Sequence, residues 1–127
     1  MVPESREPSR VVPVRLTLSP LIPLRRRTIV YTLLHVRFEW DPAKATANLR
    51  THRVSFSEAV TVLEDEFGLT REDPDAVEES RFVTLGLSNL GNLLVVVYAY
   101  REPDIIRVIS AWKANKRQRM RYEESRS

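Results

Sequence analysis

Residues 81–112, RFVTLGLSNLGNLLVVVYAYREPDIIRVISAW, decide the fold. Three apolar runs in this stretch are separated by short polar turns. Residues 81–87 form the first run, with Phe82, Val83 and Leu85 apolar, and Ser88-Asn89-Leu90-Gly91 after it is turn chemistry. Residues 93–100, LLVVVYAY, are β-branched and aromatic without a polar break, which predicts a central strand buried on both faces. Arg101-Glu102-Pro103-Asp104 makes the next turn. In residues 105–112 the strand period puts Ile106, Val108, Ser110 and Trp112 on one face and Ile105, Arg107, Ile109 and Ala111 on the other. Turns this short make the three strands antiparallel neighbours.

Upstream, Val36, Phe38 and Trp40 alternate with Arg37 and Glu39, the pattern of a half-buried strand. Asp41-Pro42 stops it and starts a helix, Asp as N-cap and Pro in the first turn, running to about His52. Ser55 followed by Glu58 is a capping-box pattern, and Phe56, Ala59, Val60 and Leu63 make one apolar helical face. Downstream, Asn115 caps a basic helix over about residues 116–124, with Gln118 at its third position. The order β-α-α-β-β-β-α predicts an α+β fold: a small antiparallel sheet with N-terminal helices and a C-terminal basic helix.

Residues 1–35 read differently. Five of the eight prolines are there, and no amphipathic period of useful length precedes Thr28. We read 1–35 as a Pro/Arg-rich, disordered extension and 36–127 as the folded domain. No run approaches the roughly 20 apolar residues of a membrane span, and no signal-peptide cleavage pattern follows Arg25-Arg26-Arg27, so the expected location is the cytoplasm. The absence of cysteine removes disulfides, thiolate metal sites and cysteine nucleophiles. Two histidines, His35 and His52, are too few for a histidine-rich metal site.

The net charge of +3 hides a segregation. Residues 64–79 carry eight acidic side chains against Arg71, whereas 107–127 carry seven Lys or Arg against Glu123 and Glu124. A basic end on a near-neutral domain points to a local polyanion site. The acidic run lacks the fixed spacing of glycine and ligands in a calcium loop and reads as a solvated loop.

Several blocks, in order, carry a resemblance: FEWDPAKATANLRTHRVSF (38–56), the acidic middle, RFVTLGLSNLGNLLVVVYAYR (81–101) and IRVISAWKANKRQRMRYEE (106–124). Over residues 37–124 the chain resembles the BrnT toxins. That resemblance implies a RelE-like fold, endoribonuclease activity without metal or other cofactor, and neutralisation by a BrnA-like antitoxin. The antitoxin's ribbon-helix-helix module would supply any contact with DNA. Two positions depart from the family pattern. Arg53 stands where the family has glycine, and Trp112 stands where a strand-end arginine is usual.

Cleavage of RNA without metal requires a base for the 2′-hydroxyl proton, donors for the phosphate charge and an acid for the leaving oxygen. The resemblance and these needs nominate His52, Arg81 and Lys113 as catalytic residues. Arg101, Arg107, Lys116, Arg117, Arg119 and Arg121 are nominated as RNA contacts, since guanidinium groups grip phosphate with paired donors. Trp112 motivates an alternative: a catalytically weakened domain acting as an antitoxin- or nucleic-acid-binding module.

Overall fold

A computed structural model describes residues 36–102 and 104–126 fully, and the backbone alone of Leu16–Leu18 and Ile29–Leu33. In chain order the elements are β1 (Leu16–Leu18), β2 (Ile29–Leu33), β3 (Val36–Trp40), α1 (Pro42–His52), α2 (Phe56–Val62), β4 (Leu69–Glu72), β5 (Arg81–Leu87), β6 (Leu93–Glu102), β7 (Ile105–Lys113) and α3 (Lys116–Arg126). The seven strands make one sheet in the order β1-β2-β3-β7-β6-β5-β4. The α+β class expected from residues 36–127 is present, with β4 as an added edge strand. Strands β5, β6 and β7 are antiparallel neighbours, as the short turns require. Strand β3 joins them in parallel, beside β7. The expectation of a disordered extension over 1–35 otherwise lies outside the described residues.

Local chemistry sets the helix ends. The Asp41 carboxylate accepts from the Ala43 N–H at 2.9 Å, and Pro42 occupies the first turn. Helix α1 ends at Arg53, which adopts the left-handed conformation at φ 61°. Ser55 Oγ caps α2 by accepting from the Glu58 N–H at 3.1 Å. The Glu58 carboxylate does not complete the box. It accepts instead from Ser88 Oγ at 2.6 Å and Asn92 Nδ2 at 2.8 Å, bracing the β5–β6 turn against α2. Gly91, at φ 84°, allows that turn to close.

Helices α1 and α2 cover one sheet face. The main core lies between them, with Phe38, Phe56, Val60, Val96, Tyr98 and Ile106 buried in it. The opposite face has a smaller apolar cluster, in which Tyr122 of α3 is buried with Leu85, Leu93 and Val95. Strand β7 serves both sides through a register slip. Val97 pairs with Ser110 but Tyr98 pairs with Val108, so Ile109 bulges out of the ladder. The extra residue reverses the face assignment beyond it. Ala111 therefore joins Ile106 and Val108 in the main core, and Trp112 packs with the smaller cluster, contrary to uniform alternation. Buried residues run from Leu93 to Ala99 in β6, as expected for a central strand.

The parallel β3–β7 pairing spans only Arg37–Glu39 against Ile105–Arg107. Beyond it the chain turns into α1, and the edge of β7 at Ala111 has lost its neighbouring strand. Buried Asn48 of α1 takes that strand's place. Its Nδ2 donates to the Ala111 carbonyl at 2.8 Å and to the Val54 carbonyl at 3.0 Å. Its Oδ1 accepts from the Ala111 N–H at 3.1 Å and from Ser110 Oγ at 3.3 Å. One side-chain amide thus imitates the peptide group of a strand that has ended.

Asn48→Ala strands three buried backbone groups and is expected to lower stability by about 3 kcal/mol. Urea unfolding measures this as a lower midpoint at unchanged slope; an unaltered midpoint would show that water replaces the amide. Arg53→Gly relieves a left-handed non-glycine residue and is expected to add about 1 kcal/mol in the same assay.

Candidate nucleic-acid interface

Residues opposed across paired strands project from the same sheet face. Arg81 of β5 opposes Ala99 of β6, Ala99 opposes Arg107 of β7, and Arg107 opposes Glu39 of β3. These four residues form one rung across four strands. The residues alternating with them, such as Phe38, Tyr98 and Ile106, point into the main core, so the rung lies on the face away from α1 and α2. A second rung places Arg71 of β4 beside Val83 and Val97. By the same alternation, Arg37 lies one step before Glu39, whereas Arg101 bulges out of the ladder, since Tyr100 pairs with Ile106 and Glu102 with Ile105.

The floor of this face is small and apolar. Ala99 and Val97 are buried, and Arg81 and Arg107 stand half-buried on either side of Ala99. With strands about 4.8 Å apart, the Arg81 and Arg107 backbones are about 10 Å apart, within joint reach of one phosphodiester by their long side chains. Arg101 Nη1 lies 3.6 Å from Glu39 Oε2, with 43% and 23% of the two side chains exposed. Asp73, which follows β4, has Oδ1 engaged in its own loop, accepting from the Asp75 N–H at 3.0 Å.

The structure brings Arg81, Arg101 and Arg107 together and sets His52 and Lys113 apart from them. Lys113 opposes Leu94, five residues along β6 from Ala99 and on the main-core face. That separation is about 17 Å along the strand. His52 is exposed at the end of α1, and its ring lies 6.1 Å from that of Trp112, tilted by 45°. A shallow depression of about 450 Å³ nearby on α1 is lined by Leu49, Arg50 and Arg53. The expected catalytic trio of His52, Arg81 and Lys113 is therefore not assembled at one point. Among the described residues, no group of three or more His, Cys, Asp or Glu side chains is placed to hold a metal ion.

Lys116, Arg117, Arg119 and Arg121 are exposed on α3. The start of that helix is a reciprocal cap: Gln118 N–H donates to Asn115 Oδ1, and Asn115 N–H to Gln118 Oε1, both at 2.8 Å. Its far end is tied down by Asp65, from the acidic run read as a solvated loop. Asp65 Oδ2 accepts from Tyr122 Oη at 2.5 Å and from the Leu87 N–H at 2.8 Å, while Oδ1 accepts from the Phe67 N–H at 2.9 Å. Gly86 makes room for this packing, since a Cβ there would lie 2.9 Å from Val62 Cγ1. Burial, and then the Asp65 carboxylate, push the Tyr122 hydroxyl up to about 12.

Arg37, Arg71 and Glu39 were absent from the residues nominated by sequence. Strand alternation assigns each to a face, but only the inter-strand register aligns them with Arg81 and Arg107.

Comparison with known proteins gives three findings. A family model described as "Ribonuclease toxin, BrnT, of type II toxin-antitoxin system" matches residues 40–118, more than half of the chain. No curated protein matches. Among solved structures, the ribonuclease toxin BrnT of Brucella abortus is similar at 20% identity, covering 61% of this chain and 94% of that one, with a TM-score of 0.47.

Because the Tyr122 hydroxyl is held above its usual value of about 10, its contribution to stability is full below about pH 10. It is lost as pH rises through about 12. Tyr122→Phe is expected to cost about 2 kcal/mol at pH 7, through loss of a hydrogen bond to a carboxylate. The variant should also show a flatter decline in stability above pH 10. Denaturation at pH 7 and along a series from pH 9 to 12 checks both; an equally steep alkaline decline in the variant would count against the Asp65 tie.

Proposed function

This chain belongs to the BrnT family of ribonuclease toxins of type II toxin–antitoxin systems, and on that premise we propose that it is an endoribonuclease that holds RNA on the arginine-bearing face of its sheet. The observation that carries the reading is the register that sets Arg81 and Arg107 on either side of Ala99, with the Arg101 guanidinium beside Glu39 of the same rung. Two guanidinium groups converging on one phosphodiester stabilise the charge that builds on its oxygens as the 2′-hydroxyl attacks. Fixed cations perform that task without a metal ion. Lys116, Arg117, Arg119 and Arg121 of α3, with Lys113 and His52, supply contacts to flanking RNA rather than to the reacting phosphate.

Membership of a type II system supports a protein antitoxin as the partner and RNA as the substrate. We propose that the antitoxin is BrnA-like with a ribbon-helix-helix module, that DNA is reached only through it, that the toxin fold is RelE-like, and that the toxin acts in the cytoplasm to arrest growth. No helix among the described residues is long and apolar enough to cross a membrane.

The alternative of a weakened nuclease rests on Trp112. That residue packs with the Leu85, Leu93 and Val95 cluster and against His52, at the end of β7 remote from Arg107. Its substitution for arginine removes a cation from the flanking contact and leaves the Arg81–Arg107 rung intact, which favours the active enzyme.

The test is cleavage of RNA by the purified full chain with excess chelator. Cleavage should persist, and Arg81→Ala and Arg107→Ala should each lower kcat by about 100- to 1,000-fold. Trp112→Arg should tighten RNA binding more than it changes kcat. Intact RNA with the folded parent chain, or full activity in both alanine variants, would overturn the proposal.

A further inference from the structure

Arginine remains protonated throughout the physiological range, so the cationic rung stabilises charge but cannot accept the proton of the attacking hydroxyl. The lysine nominated for acid–base work sits about 17 Å along the sheet from Ala99, and the nominated histidine lies beside Trp112 at that same end of β7. The reaction therefore needs a proton acceptor nearer the arginines. We propose that Glu39 is that general base, taking the 2′-hydroxyl proton while Arg81, Arg101 and Arg107 hold the phosphate. The inference rests on the ribonuclease reading above.

Three observations carry it. Glu39 is the fourth member of the rung, directly opposite Arg107 and 3.6 Å from an Arg101 nitrogen. It is aimed by a rigid platform, since β3 is hydrogen-bonded on one side to β2 and on the other to β7. It is partly but not wholly buried, with 23% of its side chain exposed, so a ribose hydroxyl can reach it. A carboxylate on a face built to receive a polyanion opposes binding through like charge. Its position among arginines is thus a cost to affinity that a role in the reaction explains. Of the other acids beside this face, exposed Glu102 pairs with Ile105 at the strand end, two residues along β7 from Arg107, and Asp73 has an oxygen committed to its own loop.

The step balances. The 2′-hydroxyl proton passes to a Glu39 oxygen as the 2′-oxygen bonds to phosphorus, and the bond from phosphorus to the 5′-oxygen breaks. The leaving oxygen takes a proton from water, and the resulting hydroxide recovers the proton from Glu39. The products are a 2′,3′-cyclic phosphate and a 5′-hydroxyl, with no other reactant consumed.

The deciding experiment compares the parent chain with Glu39→Gln and Glu39→Asp. It measures cleavage of an RNA oligonucleotide across pH, and binding of the uncleavable 2′-deoxy analogue. Glu39→Gln preserves shape and a polar oxygen beside Arg101 but accepts no proton. It should lose at least about 100-fold in kcat, in the range removed with a general base. It should also lose the acidic limb of the rate profile and bind the deoxy analogue as tightly as the parent or tighter. Glu39→Asp should keep part of the rate and the acidic limb. Glu39→Gln cleaving close to the parent rate would overturn the proposal and leave the ribonuclease reading standing. A parallel loss of rate and analogue binding would make Glu39 a structural ion pair and also overturn it. A parent chain that leaves RNA intact would remove the ribonuclease reading itself, and this inference with it.

Discussion

The sheet depends on how β7 is finished along the edge that β3 abandons. Strand β3 pairs for three residues and then turns into α1, which would leave Ala111 with buried, unpaired backbone groups. Asn48 closes that gap with both ends of its amide, and at the same time holds the Val54 carbonyl that leads into α2. This one side chain thus ties α1, the entry to α2 and β7 past its bulge to one another. An aspartate has no amide donors, and a longer side chain could not match two groups of the same residue. The constraint is chemical as well as steric.

With that edge secured, the two sheet faces divide their work. The face under α1 and α2 is packed and carries most of the buried apolar side chains. The other packs an apolar cluster where α3 crosses, at Leu85, Leu93 and Val95, and beyond it arginines flank the small apolar floor of Val97 and Ala99. The rigid, buried strand β6 underlies both, so the arginines of β5 and β7 are held from a floor with little freedom to move. Asp65 contributes in a similar way at the opposite end, joining the α2 exit, the end of β5 and α3 through one carboxylate.

Much of this was legible in the sequence. Capping chemistry located α1 and the start of α3 closely, because caps are read over two or three neighbouring residues. The three long antiparallel strands were visible because their turns are short and their apolar runs unbroken. What failed was anything that needs register. The bulge at Ile109 leaves no mark in composition, yet it sends Ala111 and Trp112 to faces opposite to those that alternation assigns. Glu58 looked like half of a capping box and instead braces a turn thirty residues on. Arg81 and Arg107 were recognised singly. That Glu39 lies in line with them follows from the parallel β3–β7 pairing, which joins distant parts of the chain and has no local signal.

That parallel pairing also shapes how the protein comes into being. The strand bearing Glu39 is made early and the strand bearing Arg107 late, and neither of the neighbours that flank β7 can receive it until β7 exists. Contacts so distant in sequence close slowly and only after most of the chain is available. The rung therefore assembles only when residues 37–39 have found residues 105–107, so the geometry of its charges reports on the whole intervening fold and not on any single segment.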